Sequence, residues 1–323
     1  MSNPSGPQPA IAPGVALGIA AALVCFSLGP IGVVTQKHLV ASFSPLVIVA
    51  IQSTGGALVL WAIRYSAFPK APVPTSAVLK GLALGALHPG GFMVIYTAAS
   101  ARLDSVTAVL LLALAPAFIA IAGRLVLKET LRPVILVGIA VSLVGLTVLV
   151  SERESTGANT GLGFVLGVIG LGVTSATMIA GRAMNTGAVL PWFVLAPLQV
   201  TGGATLCWIG VRVTGAPVDP AALWAEAPAF AYLILGMTSL GYLMYNFSLS
   251  RLTTPTLGLL AAGAPGVGAI AAAIIFDTTI GSLAALGIAT MLLGAALPPL
   301  WGLNQRRRHR RTGQAANQGA QAP

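Results

Sequence analysis

Long apolar runs alternate with short polar breaks along the whole chain. Each run holds about 20 residues, which is the length that a helix needs to cross a bilayer. The runs are continuous rather than alternating residue by residue, so they favour helices over the strands of a barrel. The pattern predicts an all-α polytopic membrane protein with ten transmembrane helices, at residues 14–36, 44–64, 78–100, 105–127, 133–150, 161–181, 190–212, 228–249, 255–276 and 280–302.

The composition excludes several classes of protein. Of the 323 residues, 56% are hydrophobic and only 7% are charged, whereas a soluble domain carries about 25% charged residues. An ordinary soluble enzyme and a disordered chain are therefore excluded. The net charge of +10 does not indicate a nucleic-acid binder, because the basic residues are sparse and five of them form the C-terminal run RRRHRR.

The distribution of Lys and Arg predicts the orientation in the membrane. A cytoplasmic N-terminus places thirteen of the seventeen basic residues inside and four outside, as the positive-inside rule requires. Ten helices then return the C-terminus to the same side. We therefore expect a multi-pass protein of the plasma (inner) membrane with both termini cytoplasmic, a disordered leader at residues 1–13, and a basic tail at 303–323 that contacts anionic lipid.

The two halves of the chain repeat each other. Residues 102–145 align with 251–294 without gaps, 149 positions apart. The segments QSTGGALVLW (52–61) and QVTGGATLCW (199–208) are identical at six of ten positions, at an offset of 147. Each half holds five predicted helices, an odd number, so the second half enters the membrane inverted. The sequence thus predicts inverted repeats at 14–150 and 161–302, joined by an external loop at 151–160, which is a common architecture of secondary transporters.

Polar side chains within the apolar runs are candidates for solute binding, because they are costly in a membrane. Gln52 and Gln199 lie in the middle of their runs and correspond in the repeat. Each amide offers two donors and an acceptor, enough to bind a zwitterion or an amide. The alternative is that they form hydrogen bonds between helices. The sequence leaves both interpretations open.

Aromatic residues form a second candidate group. Tyr96 and Tyr245 correspond in the repeat, and Tyr242 lies one helical turn before Asn246. A phenol can stack on an apolar solute and form a hydrogen bond with its polar end. The alternative is an aromatic anchor at the membrane interface.

His88 is the one strongly titratable side chain deep within a predicted helix, and Pro89 follows it. Proline frees the carbonyl of Gly85, so we expect the helix to kink there. A histidine beside a broken helix could carry a proton or bind a solute. The alternative is a neutral histidine that forms a hydrogen bond with a neighbour.

A third group of residues carries structural signals. Pro116 and Pro265 correspond in the repeat, so the fourth and ninth helices should kink alike. Gly138 and Gly145 are spaced by seven residues, as are Gly287 and Gly294, which places each pair on one helix face for close packing.

The motifs of common enzymes are missing. The chain contains no Walker phosphate loop, no HExxH motif and no GxSxG motif. Cys25 and Cys207 both lie in apolar runs and indicate neither a disulfide nor a metal site. We therefore predict that the protein is not an enzyme and uses no cofactor or metal.

The stretch 104–145 resembles the end of an EamA repeat of the drug/metabolite transporter superfamily. It has a polar start, Pro116, Glu129 thirteen residues later, and then Gly138 and Gly145. The second copy, 253–294, follows this pattern more loosely, with Asp277 one position from the mate of Glu129. The resemblance covers residues 14–302 and differs from the usual family pattern at Gln52, where a basic residue is common.

The resemblance implies a secondary transporter, usually an exporter of amino acids, metabolites or toxic organic compounds. It also implies a cavity lined by helices 1–4 and 6–9, with helices 5 and 10 towards the outside. We expect a permease for a small neutral, zwitterionic or amphipathic solute. The alternative is a non-transporting membrane regulator or accessory subunit. The expected partners are the solute and the lipid bilayer, with protons as a candidate coupling ion, a homodimer as a candidate assembly, and no nucleic acid.

Overall fold

The structure is a computed structural model, and the following description covers residues 13–69, 73–100, 102–103, 111, 114–151, 160–186, 190–275 and 279–297. All the regular secondary structure in these ranges is helical. Most of the predicted leader, most of the connecting loop, Asp277 and the basic tail lie outside the described residues.

Fourteen α-helices and two π-helical segments follow one another along the described chain. In order, they are α1 (Pro13–Leu39), α2 (Pro45–Ala67), α3 (Thr75–Gly85), π1 (Ala86–Gly91), α4 (Phe92–Ser100), α5 (Ala115–Val126), α6 (Pro133–Val150), α7 (Gly161–Thr186), α8 (Trp192–Thr214), α9 (Pro220–Ala225), α10 (Ala227–Tyr232), π2 (Leu233–Leu240), α11 (Gly241–Arg251), α12 (Thr254–Ala262), α13 (Ala264–Ile275) and α14 (Ser282–Leu297).

Seven stretches of the described helices are long and apolar enough to cross a membrane, so the chain is a multi-pass membrane protein. They are Gly14–Gly32, Pro45–Ala67, Thr75–Tyr96, Pro133–Val150, Gly161–Thr186, Trp192–Thr214 and Ala227–Arg251. The shorter apolar helices α5 and α14 lie at the fourth and tenth predicted positions. The ninth predicted position is divided between α12 and α13.

Prolines set several helix boundaries, because a proline at the first turn loses no helical hydrogen bond. Helix α2 begins at Pro45, where Ser44 Oγ accepts a hydrogen bond of 3.3 Å from the Val47 N–H. Pro116 and Pro265 each occupy the second position of a helix, α5 and α13. The equivalent prolines therefore act alike, and Pro265 separates α13 from α12.

The helix that contains His88 is interrupted, as Pro89 predicts. His88 has φ −148° and ψ 114°, outside the helical region, within the π1 segment. The second half has an interruption at the corresponding place, because π2 overlaps the residues 149 positions after π1. Here Ser239 Oγ donates a hydrogen bond of 2.6 Å to the Ile234 carbonyl. Both interrupted helices, α3–π1–α4 and α10–π2–α11, pack on the central pair α2 and α8.

Reciprocal contacts join α2 and α8. Trp61 Nε1 donates to Thr201 Oγ1 at 3.1 Å, and Trp208 Nε1 donates to Thr54 Oγ1 at 2.9 Å. Trp61 and Trp208 are 147 positions apart, as are Thr54 and Thr201. The same hydrogen bond is therefore made twice, once in each direction between the halves.

Helices α6 and α14 also contact each other reciprocally. A Cβ atom on Gly138 would lie 2.7 Å from the Gly294 carbonyl oxygen, and one on Gly287 would lie 2.7 Å from the Gly145 carbonyl oxygen. Ser142 Oγ donates to the Met291 carbonyl at 3.1 Å beside these glycines. The glycines spaced by seven thus lie at one close helix–helix interface, as their spacing predicts.

Candidate functional site

The first candidate amide, Gln52, lies on α2 and is bonded to α1. Gln36 Nε2 donates to Gln52 Oε1 at 2.9 Å. Both side chains are buried. A hydrogen bond between two buried amides ties the helices together and satisfies polar atoms that would otherwise be costly in a membrane.

The second candidate amide, Gln199, lies on α8 at the end of a longer network. Asn246 Nδ2, on α11, donates to Gln199 Oε1 at 2.8 Å. Asn185 Nδ2, on α7, donates to Asn246 Oδ1 at 3.4 Å. The network joins three helices of the second half, and Gln199 and Asn246 are almost completely buried.

The repeat relates these two amide groups. Gln36 and Asn185 are 149 positions apart, so α1 and α7 each contribute an amide to the network of their own half. Gln36 bonds directly to the central helix, whereas Asn185 is linked to it through Asn246. Neither residue was among the predicted site residues, although the offset that pairs Tyr96 with Tyr245 also pairs them. Both central glutamines thus bond between helices, and their direct contact with a solute stays a prediction.

The candidate aromatic residues form a continuous row across the two halves. The row runs from Tyr96 through Phe92 and His88 on the α3–π1–α4 helix to Tyr242 and Tyr245 on α11. Successive ring centroids are 5.6, 5.0, 6.5 and 6.2 Å apart. We call these five residues the ring row. Phe92, which joins His88 to Tyr96, was not among the predicted site residues.

One hydrogen bond closes the ring row between the halves. Tyr242 Oη and His88 Nδ1 lie 3.2 Å apart, and the tautomer of His88 decides which of them donates. All five rings are partly buried. The interruption at π1 displaces His88 from helical geometry, and its ring meets a tyrosine of the other half.

The segment TGGA, which occurs at 54–57 and 201–204, allows the interrupted helices to pack closely on α2 and α8. In α8, a Cβ on Gly203 would lie 2.6 Å from Pro89 Cγ. In α2, a Cβ on Gly55 would lie 2.6 Å from Ile234 Cδ1, and one on Gly56 would lie 2.9 Å from Thr238 Cβ. The missing side chains of these glycines therefore leave room on each central helix for the π-helical segment of the opposite half.

Glu129, which was predicted as a structural residue, lies beyond the end of α5. It connects to α7 and α12 directly and to α11 through Arg182. Its Oε1 accepts from Arg182 Nε at 3.2 Å, and its Oε2 accepts from the Thr254 N–H at 2.7 Å. Arg182 also donates to the Leu249 carbonyl through NH1. Glu129 therefore caps α12 and pairs with a cation on α7, both in the second half.

Together these features define a helical multi-pass membrane protein whose halves meet at two interrupted helices and a row of aromatic rings. The model of the EamA-like transporter family matches residues 14–151 of this chain. The resemblance seen in the sequence is confirmed there.

Comparison with solved structures establishes the fold. One structure, described only as "Crystal structure of protein", superposes with a TM-score of 0.73 at 19% sequence identity, covering 90% of this chain and 98% of that chain. At this level of identity the likeness concerns the fold alone. None of the curated proteins matches this chain.

Proposed function

We propose that the protein is a secondary active transporter that works by alternating access. It exports a small neutral, zwitterionic or amphipathic solute, such as an amino acid or a drug-like compound, across the plasma membrane. Ten transmembrane helices form two inverted repeats of five, and the solute crosses between them. The match of residues 14–151 to the EamA-like transporter family model supports the transporter class.

The reciprocal contacts support the inverted repeats. Three kinds of contact occur in equivalent pairs: the Trp–Thr hydrogen bonds between α2 and α8, the glycine contacts between α6 and α14, and the contacts of π1 and π2 with the glycines of α8 and α2. In each pair of contacts, the second contact joins the repeat mates of the two residues that make the first. Such exchange is expected when the two repeats are related by a pseudo-two-fold axis.

The observation that carries the proposal is the meeting of two interrupted helices through His88 and Tyr242. Non-helical backbone at membrane depth is tolerated where protein or a cavity satisfies its polar groups, and in transporters it marks the substrate path. An interruption also allows each helix to bend without losing its contacts at both ends. In this proposal the ring row binds the solute, and bending at π1 and π2 exposes it to each side in turn.

The chemistry of the ring row supports the proposed solute class. Phenol, imidazole and phenyl rings offer apolar faces together with a few hydrogen-bonding atoms. The ion-paired carboxylates among the described residues, Glu129 and Glu226, belong to connections at the helix ends rather than to the ring row. Such a site suits a solute with an apolar body and no net charge. His88 is the candidate carrier if protons drive transport.

Metabolite profiling tests the proposed function. Cells that express the wild type, the Gln52→Ala/Gln199→Ala variant or no transporter are compared in both medium and cell extract. We expect a solute to be enriched outside only with the wild type. Loss of the two amides leaves Gln36 and Asn246 without their buried hydrogen-bond partners, which weakens the packing of the helices along the proposed path of the solute. Thr147→Ala/Thr290→Ala, which removes two exposed hydroxyl groups, is the matched control.

The ring row is tested in the same cells with His88→Phe. This change keeps an aromatic ring but removes the hydrogen bond to Tyr242. We expect export to fall while the amount of protein in the membrane is unchanged. Equal profiles with and without the wild-type protein would contradict export and favour the accessory-subunit alternative. Normal export by His88→Phe would show that this hydrogen bond is not needed.

A further inference from the structure

A partly buried ion pair connects the two halves at one face of the membrane. Glu129 and Arg182 pair at 3.2 Å, and their side chains are only 12% and 15% exposed. Each partner makes a second bond to backbone, Glu129 to the Thr254 N–H and Arg182 to the Leu249 carbonyl. The pair therefore fastens the connection after α5 to the ends of α7 and α11 and to the start of α12.

The hydrogen bonds of Glu129 and Arg182 bring the connection after α5, the end of α7 and the turn between α11 and α12 together. The start of α1 lies beside the same turn, because a Cβ on Gly14 would lie 3.0 Å from Arg251 NH1. We call this side the Glu129 face. The distribution of Lys and Arg predicts that it is cytoplasmic.

At the offset of 149, the mates of Arg182 and Glu129 are Val33 and Thr278, which carry no charge, and the neighbouring Asp277 lies outside the described residues. The opposite face instead has a contact of 3.1 Å between His38 Nε2 and Glu226 Oε2, and these side chains are 56% and 25% exposed. Among the described residues, the charged contact at the opposite face is therefore more exposed than the Glu129–Arg182 pair.

We propose that Glu129 and Arg182 form a latch that holds the Glu129 face closed and opens once in each transport cycle. This inference rests on the proposed function, because only an alternating-access protein must open that face. Opening this face between the halves breaks both bonds of Glu129, to Arg182 and to the Thr254 N–H, and hydrogen bonds that involve a charged group are about twice as strong as neutral ones. The latch thereby gives the two faces unequal stability, and the resting protein prefers to be closed at the Glu129 face.

Spin-label distance measurements in lipid nanodiscs test the latch. With Cys25→Ala and Cys207→Ala as background, Leu125→Cys and Ala183→Cys label exposed positions on α5 and α7 near the Glu129 face. A second double-cysteine variant, with Val40→Cys and Trp224→Cys, carries its labels at exposed positions of the opposite face. Opening of a face appears as a second, longer distance between its two labels.

We expect Glu129→Gln to raise the population of the longer distance at the Glu129 face about five- to tenfold, which starts at the upper limit for losing an exposed ion pair and stays below that for breaking a buried one. The substitution keeps an oxygen that can accept from the Thr254 N–H, so α12 stays capped. Arg182→Lys, which keeps the charge but cannot reproduce both guanidinium bonds, should give a smaller rise. Glu226→Gln is the matched control at the other face and should leave the Glu129-face distances unchanged.

The outcomes separate the latch from the proposed function. If the wild type populates both distances and neither Glu129→Gln nor Arg182→Lys changes their ratio, the latch is wrong and alternating access stands. If Glu226→Gln opens the Glu129 face as much as Glu129→Gln does, the effect is not specific and the latch is also wrong. If each face shows one unchanging distance in every variant, with and without the small-molecule extract of the expressing cells, both the latch and the proposed function are overturned.

Discussion

The close approach of α3 to α8 at Gly85 yields the sharpest prediction on stability. A Cβ atom on Gly85 would lie closest to the carbonyl oxygen of Gln199, and 2.5 Å from its carbonyl carbon. Carbon atoms pack favourably at about 3.5–4.0 Å, so the two backbones would have to separate by at least about 1 Å. Gly85→Ala therefore moves the helix that carries His88 away from the helix that carries Gln199.

The cost of this change follows from two opposing effects. Overpacking in a well-packed interior costs about 1–3 kcal/mol, while replacing a helical glycine with alanine contributes about 0.5–1 kcal/mol of stability. Because the contact is with backbone, which yields less than a flexible side chain, we expect Gly85→Ala to be destabilised by about 1–2 kcal/mol net.

Thermal unfolding of the purified protein in detergent measures the effect. Gly172→Ala is the matched control, because it adds the same methyl group to a helix where nothing lies within 4 Å. We expect Gly85→Ala to unfold several degrees below the wild type and Gly172→Ala to unfold at or above it. An unfolding temperature for Gly85→Ala equal to that of Gly172→Ala would refute the close packing of α3 on α8.

Two further predictions concern the repeat and the orientation. Trp61→Phe and Trp208→Phe each remove one of the reciprocal hydrogen bonds, so each should lower the free energy of unfolding by about 0.5–1.5 kcal/mol, and thermal unfolding should show similar losses; a loss in only one variant would contradict equivalent halves. A reporter enzyme fused after Arg311 should be active on the cytoplasmic side, and one inserted after Gly215 on the external side. The reverse pattern would contradict the orientation that the basic residues predict.

Much of the helical layout follows from the sequence, because a membrane-spanning helix must be apolar over its whole length and proline marks its breaks. The interruption at π1 was predictable from Pro89. The interruption at π2 was not, because the position equivalent to Pro89 is Thr238, which does not break a helix by itself. Thr238 lies against Gly56 on α2, so π2 reflects tertiary packing that local sequence does not encode.

The bonding of the candidate residues could not be predicted from the sequence, and neither could the place of Phe92 among them. The repeat singled out Gln52 and Gln199, which lie buried on α2 and α8, yet one bonds to a glutamine on α1 and the other to Asn246 on α11. Which neighbour an amide meets depends on helix rotation, which the apolar pattern does not determine in a chain that is apolar on nearly all sides. The bond between His88 and Tyr242 was unpredictable for the same reason.

Reconstitution of the purified protein into liposomes tests the central claim most directly, because it removes every other protein. The liposomes are loaded with the small-molecule extract of the expressing cells, and the solutes that leave are identified by mass spectrometry. We expect a small solute without net charge to leave faster from liposomes with the wild type than from protein-free liposomes, and His88→Phe to reduce the difference. Equal loss of every solute from both kinds of liposome, with folded protein in the membrane, would contradict a transporter that functions by itself.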